Sequence, residues 1–438
     1  MRFALTALLC KALSIAGKLL GGGTDLPGKI ALKMYPRVMK KLKFDGKVLA
    51  ITGSNGKTTT ANIVAHVLRE NGYSVVNNEL GSNMTSGIAS TLLCACTLGG
   101  RIKADYVVLE VDECYSRFIF KDLRIDYYLI LNLLRDQVVR NGHPDLVSTK
   151  IVEAIAAQPE MTLILNAQEP ISQNLAGDNY AVYFAMDRTE RSTDNCVSGT
   201  HDAKICPRCF HEMKYEFFHY NHLGNFACTH CDYQSFHPDF LATDVDFENR
   251  TITINGEQIS VTYNTTFNMF NTVAAAALAL TAGVSMEEFK KGVATFGGAK
   301  GRLDTFDFEG RKVTLMMTKQ NAASLDQSIS FVLEQAGDKS VVLFINNVLY
   351  LDYKDISWLY DVAFERLHGK VKNILCTGNR ALDAAVCIKA CDFDSRTLHY
   401  ENDLSKIKEA FRNTEGDIYI LAASAFGHEG KIIEELKK

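Results

Sequence analysis

Val48-Leu49-Ala50-Ile51-Thr52-Gly53-Ser54-Asn55-Gly56-Lys57-Thr58-Thr59 decides the fold. The first five residues form an apolar run, and helix formers at helical spacing follow from Thr58 to Glu70, so a buried strand feeds a helix through a glycine-rich turn. In that setting the turn is a phosphate site: glycines let backbone N–H groups approach the oxygens, and the helix N-terminus adds positive potential. Lys57 would reach the β- and γ-phosphates of ATP, and the Thr58 hydroxyl would ligate Mg²⁺. Ile51 stands where the usual eight-residue P-loop begins with glycine, so Gly53, Ser54, Asn55, Gly56, Lys57, Thr58 and Thr59 form a variant loop. The competing reading is a glycine turn with a surface lysine.

Outward from the loop, Tyr106 to Glu110, Tyr127 to Asn132 and Thr162 to Asn166 are short β-rich runs, each followed by a helical stretch. Strands alternating with helices predict a doubly wound, mostly parallel sheet with its nucleotide site beyond the carboxyl ends of the strands. Glu110, Asp112 and Glu113 leave one strand at that end, a run of carboxylates suited to a hard cation, with Glu110 the candidate Mg²⁺ ligand beside Thr58. Plain solvated loop residues would look similar.

Between Gly199 and Pro238 the composition changes to four Cys and six of the eleven His, with little aliphatic periodicity, which marks an insertion. Cys206-x₂-Cys209 and Cys228-x₂-Cys231 have the spacing of a structural Cys₄ zinc ribbon. His222 or His230 are alternative ligands. Three Lys/Arg against four Asp/Glu in this segment argue against a nucleic-acid ribbon. The sheet resumes with a hairpin around Asn255-Gly256, and a helix from Asn271 to Ala282 closes the region. Gly297-Gly298-Ala299-Lys300-Gly301 reads as a hinge. Strands at Val341 to Ile345, Asn373 to Thr377 and Asp417 to Ala422 then predict a smaller Rossmann-like α/β domain. The expected organisation is an N-terminal helical segment over 1–45, a central domain over 46–298 with the insertion at 199–238, and a C-terminal domain over 302–438.

Composition excludes collagen, disulfide-knot, coiled-coil and disordered classes: the 438 residues are 47% hydrophobic and 22% charged, with a net charge of -4. No polybasic block points to nucleic acid. Lys11 and Lys18 interrupt the apolar N-terminus before it could span a membrane. A signal peptide is the rival reading, but Leu5, Leu9, Leu13, Ala16 and Leu20 recur at helical spacing and predict a docked amphipathic helix. Twelve cysteines scattered through apolar segments fit reduced thiols and a cytoplasmic location.

The loop Thr52-Gly-Ser-Asn-Gly-Lys-Thr-Thr59 resembles that of the Mur ligase superfamily, whose members activate a carboxylate as an acyl phosphate for attack by an amine. Further segments resemble, more narrowly, the MurT family: Gly23-Thr24-Asp25-Leu26-Pro27-Gly28-Lys29-Ile30-Ala31, Asn77-Asn78-Glu79 through Gly81-Ser82-Asn83-Met84, Arg135-Asp136-Gln137, the Cys₄ insertion, and Asp355-Ile-Ser-Trp358-Leu-Tyr-Asp361. The resemblance spans nearly the whole chain. It implies a Mur ligase-like central domain and an ATP-dependent amidation of the D-glutamate α-carboxylate of lipid II, at the inner face of the membrane. Ammonia would come from a GatD-type glutaminase in a heterodimer. None of the twelve Cys sits in a Gly-x-Cys-x-Gly frame, so a separate glutaminase subunit is expected. The resemblance also implies adenine contacts from Asn268 and Asn271, a phosphate contact from Arg302, and a role for Asp355 in completing the partner's Cys-His pair. Helix capping is the alternative for the two asparagines and for Asp355.

Several positions depart from the family pattern: Val139 replaces an acid, Gln168-Glu169 replace Asp-Asp, and Lys319-Gln-Asn-Ala-Ala323 lacks a proline and a glycine. Lys150, seven residues after His143, lies closer than the superfamily's carbamylated lysine should. Such departures leave two alternatives, a diverged ligase for another carboxylate and a nucleotide-binding regulatory or scaffold subunit without turnover.

Overall fold

The computed structural model describes residues 1–19, 25–79, 82–297, 303–346, 355–424 and 430–437. Arg302 and most of the glycine-dense hinge lie outside them, as do Gly23, Thr24 and Gly81 of the resemblance motifs. The chain divides into two compact units: Met1–Leu134, His143–Asp194 and Ala203–Gly298 in the first, and Arg135–Gly142, Asn195–Asp202 and Ala299–Lys438 in the second.

The first unit runs α1 (Arg2–Leu19), α2 (Leu26–Met34), β1 (Lys43–Phe44), β2 (Lys47–Thr52), α3 (Lys57–Glu70), β3 (Val75–Asn77), α4 (Thr85–Ala95), β4 (Arg101–Ile102), β5 (Tyr106–Glu110), α5 (Ser116–Ile119) and β6 (Tyr127–Ile130). After α6 (Val138–Asn141), which belongs to the second unit, come α7 (Pro144–Ala156), β7 (Thr162–Asn166), α8 (Pro170–Gln173), β8 (Ala181–Met186), β9 (Met213–Tyr220), β10 (Leu223–Cys228), β11 (Phe240–Asp246), β12 (Thr251–Ile254), β13 (Glu257–Ser260), α9 (Thr266–Thr281) and α10 (Met286–Ala294). Nine strands form one sheet in the order β13-β12-β11-β8-β7-β6-β2-β5-β3. It is parallel from β11 to β3, as the alternation of strands and helices predicts, and the antiparallel β12–β13 hairpin closes one edge. Asn255 and Gly256 take φ of 49° and 85°, the left-handed pair a two-residue hairpin needs.

β2 lies inside this sheet and is buried from Val48 to Thr52. Helix α9 begins at Thr266, five residues before the expected start, and packs against α3 and the sheet. Ala274 to Ala277 and Ala279 are fully buried there. Small side chains let this helix approach its neighbours closely, so larger residues would overpack the contact.

The N-terminal helix docks as expected but on a different face. Thr6, Ala7 and Cys10 are buried against α2 and α4, whereas Leu5 is 60% exposed. Small residues permit close approach to α4, and that contact outweighs the leucine periodicity. Lys11 donates to the carbonyls of Cys94 and Cys96 at 3.0 and 2.7 Å, a cation at the C-terminus of α4. The motif around Gly28 has a packing reason: a Cβ there would lie 1.9 Å from the Ser86 carbonyl oxygen, and the Gly28 N–H donates to Ser90 Oγ at 2.7 Å.

The second unit adds β14 (Leu303–Phe308), β15 (Arg311–Thr318), α11 (Ala322–Glu334), β16 (Lys339–Asn346), β17 (Ile374–Thr377), α12 (Ala381–Ala390), β18 (Leu398–Glu401), α13 (Ile407–Arg412), β19 (Asp417–Ser424) and α14 (Gly430–Lys437). Its six-stranded sheet has the order β14-β15-β19-β16-β17-β18, parallel except for the β14–β15 hairpin. β16 alternates between the faces: Val341, Leu343 and Ile345 join one apolar cluster with Leu325 and Ile388, while Val342 and Phe344 join another with Phe411 and Ile432.

Two short segments from earlier in the chain complete this unit. Residues 199–202, assigned to the insertion by composition, belong here instead: Gly199 N donates to Asp326 Oδ2 at 3.2 Å, and Asp202 accepts from Arg135 Nε at 2.5 Å. Asp326 also accepts from Ala363 N at 2.8 Å, and burial pushes its carboxyl up to about 6. A carboxyl raised from 3.8 binds its proton more tightly when folded. Its contribution to stability is therefore complete below pH 4 and lost as pH rises through 6, a fall of about 3 kcal/mol. Denaturant titration from pH 4 to 7 should give a slope that Asp326→Asn flattens; an identical slope in the variant would contradict it.

Candidate active site

The carboxyl ends of β2, β5 and β6 are aligned, with Ile51 opposite Glu110 and Thr52 opposite Ile130. The loop after β2 is held by its neighbours. Ser54 N donates to Asn132 O at 2.9 Å and Ser54 Oγ to Leu134 O at 2.8 Å. Asn132 braces the loop from both sides, accepting from Asn55 N at 3.0 Å and donating to Asn55 O at 3.2 Å. Gly56 has φ 90°, and a Cβ there would lie 2.2 Å from Asn271 Oδ1. Only glycine fits both the left-handed backbone and that approach.

Lys57 opens α3 and is buried. Its Nζ donates to Gly53 O at 2.5 Å and to Glu113 Oε1 at 2.7 Å, with both side chains about 5% exposed. The cation is thus drawn back across the loop by a carboxylate from the segment after β5. Glu110 is buried at the end of β5, where its carboxylate accepts from Asn83 Nδ2 at 2.8 Å. Asn78 fixes its backbone, donating to Glu110 O at 2.8 Å and accepting from Glu110 N at 2.9 Å. Thr58 lies half-buried in the first turn of α3 and Thr59 is buried. The donors are a hydroxyl and carboxylates, hard oxygen ligands that suit Mg²⁺.

Asn268 and Asn271 stand one turn apart inside α9, where Asn271 Nδ2 donates to Asn268 Oδ1 at 3.2 Å and Asn268 Nδ2 to Thr265 Oγ1 at 2.9 Å. Thr265 is the residue before the helix; Asn268, at its third position, bonds the Thr265 hydroxyl in a capping contact, whereas Asn271 lies a turn further in. Lys150, on α7, donates to Cys114 Sγ at 3.5 Å, bringing its ammonium to the residue after Glu113. A cavity of about 700 Å³ lined by Lys47, Tyr73, Asp105 and Tyr106 opens at the opposite, amino end of these strands; open parallel sheets bind ligands at the other end.

The four insertion cysteines converge, their Sγ atoms all within 4.8 Å of one another. Sγ separations are 3.7 Å for Cys206–Cys231 and 3.4 Å for Cys209–Cys228. Zinc-thiolate bonds of about 2.3 Å in a tetrahedron would give an edge of about 3.8 Å. Backbone N–H groups of Arg208 and His230 point at Cys206 and Cys228 Sγ, each at 3.4 Å. The donor set fits a closed structural zinc site. His230 stacks on His211, and His222 Nε2 lies 2.8 Å from Glu169 Oε1 with both buried, so neither joins the thiols.

That His222–Glu169 contact gives the unexpected Gln168-Glu169 pair a structural role. Glu169 caps α8 through the N–H groups of Ile171 and Ser172, at 3.1 and 2.8 Å. Gln168 bonds both backbone groups of Met186 and accepts from Gly224 N. Together they tie the sheet to the β9–β10 hairpin.

Within the second unit, Arg135 bonds Asp202 and Asp361, at 2.5 and 3.3 Å. Asp136 accepts from Asn321 at 3.0 Å and faces Lys319 at 3.5 Å. Three separated motifs of the sequence thereby meet: Arg135-Asp136-Gln137, Lys319 to Ala323, and the segment ending at Asp361. The backbone of Val139 lies in α6, and Gln320 donates to Asn346 O. Asp355 accepts from both the N–H and the hydroxyl of Ser357 at 3.0 Å, a local turn contact.

Residues 51–279 match the Mur ligase middle domain, more than half of the chain, and residues 318–425 match the MurT ligase C-terminal domain. The chain belongs to the Mur ligase family. Over nearly its full length it is similar to the MurT subunits of lipid II isoglutaminyl synthase (glutamine-hydrolyzing). Identity is 28% to that of Staphylococcus aureus strain N315, covering 99% of this chain and 97% of that protein. Identity to the Streptococcus pneumoniae subunit is also 28%, covering 92% and 90%. Among solved structures, a pseudomurein peptide ligase type C from Methanothermus fervidus superposes with a TM-score of 0.71 at 20% identity, covering 92% of this chain and 81% of that one. MurF from Thermotoga maritima in complex with ADP gives 0.62 at 16% identity, covering 93% and 83%.

Proposed function

We propose that this chain is the synthetase subunit of a glutamine-dependent amidating ligase of peptidoglycan synthesis, working at the inner face of the membrane. ATP would phosphorylate the D-glutamate α-carboxylate of lipid II, and ammonia from a GatD-type glutaminase would convert the acyl phosphate to the amide. The observation that carries the reading is the buried Lys57–Glu113 pair in a Gly53–Thr59 loop at the strand ends. Similarity over 99% of the chain to MurT subunits supports the choice of substrate and partner.

In this mechanism the N–H groups of the loop and of α3 cradle the phosphates. Lys57 exchanges Glu113 for the β- and γ-phosphate oxygens, placing its charge where negative charge develops. Thr58 and Glu110 would hold Mg²⁺, which when bound would supply further neutralisation of the phosphate oxygens. Asn268 and Asn271 contact the adenine side of the nucleotide, and Arg302 a phosphate. A carboxylate oxygen of the acceptor attacks the γ-phosphorus and ADP departs. Ammonia then attacks the carbonyl carbon, inorganic phosphate leaves and a proton is lost. Asp355 orients the partner's catalytic pair, exchanging its contact with Ser357 for the partner's histidine. The zinc ribbon stabilises the fold without taking part in the chemistry. ADP release that needs both glutamine and a lipid-linked acceptor tests the reading; release independent of both would exclude it.

A further inference from the structure

Helix α1 turns an apolar face outward. Leu5, Leu8, Ala12, Ile15 and Leu19 recur at spacings of three and four residues and so fall on one stripe. Leu5, Leu8, Ile15 and Leu19 are 60, 49, 62 and 82% exposed. The opposite side, with Thr6, Ala7 and Cys10, already carries the packing onto α2 and α4. A surface helix that has satisfied its core with one face ordinarily presents polar residues on the other. Here the outward face is leucine and isoleucine, flanked by the exposed Arg2 and Lys18.

Charge singles out the same segment. Residues 1–44 hold nine Lys/Arg and one Asp, and the remaining 394 residues hold 38 Lys/Arg and 50 Asp/Glu. Lys29 and Lys33 of α2, with Lys40, Lys41 and Lys43 beyond it, are exposed. A net positive apolar element on an otherwise acidic chain is the pattern that binds a negatively charged bilayer, where burial of apolar side chains and attraction of basic ones add. Among the described residues no helix is long and apolar enough to cross a membrane, so the arrangement is in-plane. A second copy of the chain would bring the same positive charge to the contact and be repelled.

We propose that α1 lies on an anionic phospholipid surface, its Leu5–Leu19 stripe buried at the boundary between headgroups and acyl chains. The inference does not rest on the ligase reading, because the stripe and the charge would act on vesicles that contain no substrate. The test is co-sedimentation of the full chain with phosphatidylcholine vesicles, with and without about 30% phosphatidylglycerol. Binding should require the anionic lipid and weaken with salt. The double variant Leu8→Glu/Ile15→Glu, whose sites are exposed, should bind at least about tenfold less while melting as the wild type does. Equal binding of wild type and variant would overturn the proposal, as would no binding to the anionic vesicles or equal binding to both kinds. Loss of a wild-type dimer or of a protein partner in the variant, without any vesicle binding, would reassign the stripe to that contact.

Discussion

Lys57→Ala should lower ADP release by about 10³-fold or more, because in the proposed mechanism it removes the cation that would meet the charge developing on the transferred phosphoryl group. The structure adds a consequence that the loop motif alone does not predict. Lys57 is the buried partner of Glu113 at 2.7 Å, so its removal takes a buried positive charge away from that carboxylate and should cost about 3 kcal/mol of stability. Pairing it with Glu113→Gln separates the effects: the double variant should recover most of the stability and none of the turnover. Turnover within about tenfold of wild type in either variant would remove Lys57 from the phosphate site.

Cys206→Ser should release one zinc per chain and lower the melting temperature by on the order of 5 °C. The ribbon has a small apolar core, Met213, Phe226 and Tyr233 around the thiols, too little burial to make up for the loss of a bound zinc. Its base is secured separately by the Glu169–His222 contact, so the sheet that carries the phosphate loop should persist and residual turnover at low temperature with it. Metal analysis and a melting curve check both parts. A wild-type melt in the variant, together with no zinc in the wild-type protein, would contradict the structural assignment.

The readable features of the sequence were those that a local rule enforces. Glycine at 53 and 56 before Lys57, Asn255-Gly256 between two strands and the paired Cys-x₂-Cys motifs each need a particular backbone or ligand geometry, and the structure provides it. The apolar run Tyr106 to Glu110 coincides with β5 because both faces of a parallel strand are buried. What was not readable depends on partners distant in sequence. Leucine spacing pointed to the wrong face of α1, since nothing local reveals that Ala7 and Cys10 fit against α4. Composition placed residues 199–202 in the ribbon, although Gly199 and Asp202 bond to Asp326 and Arg135, 127 and 67 residues away. Gln168-Glu169, a departure from the family pattern, acquires its role only when His222 arrives 53 residues later. Glu113 was visible as one of a run of acids, but its pairing with Lys57 is a property of the folded loop.

The measurement that bears most directly on the central claim is mass spectrometry of lipid II incubated with this chain, a GatD-type glutaminase, ATP and glutamine. The expected result is a loss of about one dalton, as an acid hydroxyl is exchanged for an amine through an acyl phosphate. That loss should disappear without ATP, without glutamine, or with Lys57→Ala. An unchanged mass in the complete mixture, with ATP bound, would contradict the assignment of lipid II and point to another carboxylate or to a subunit without turnover.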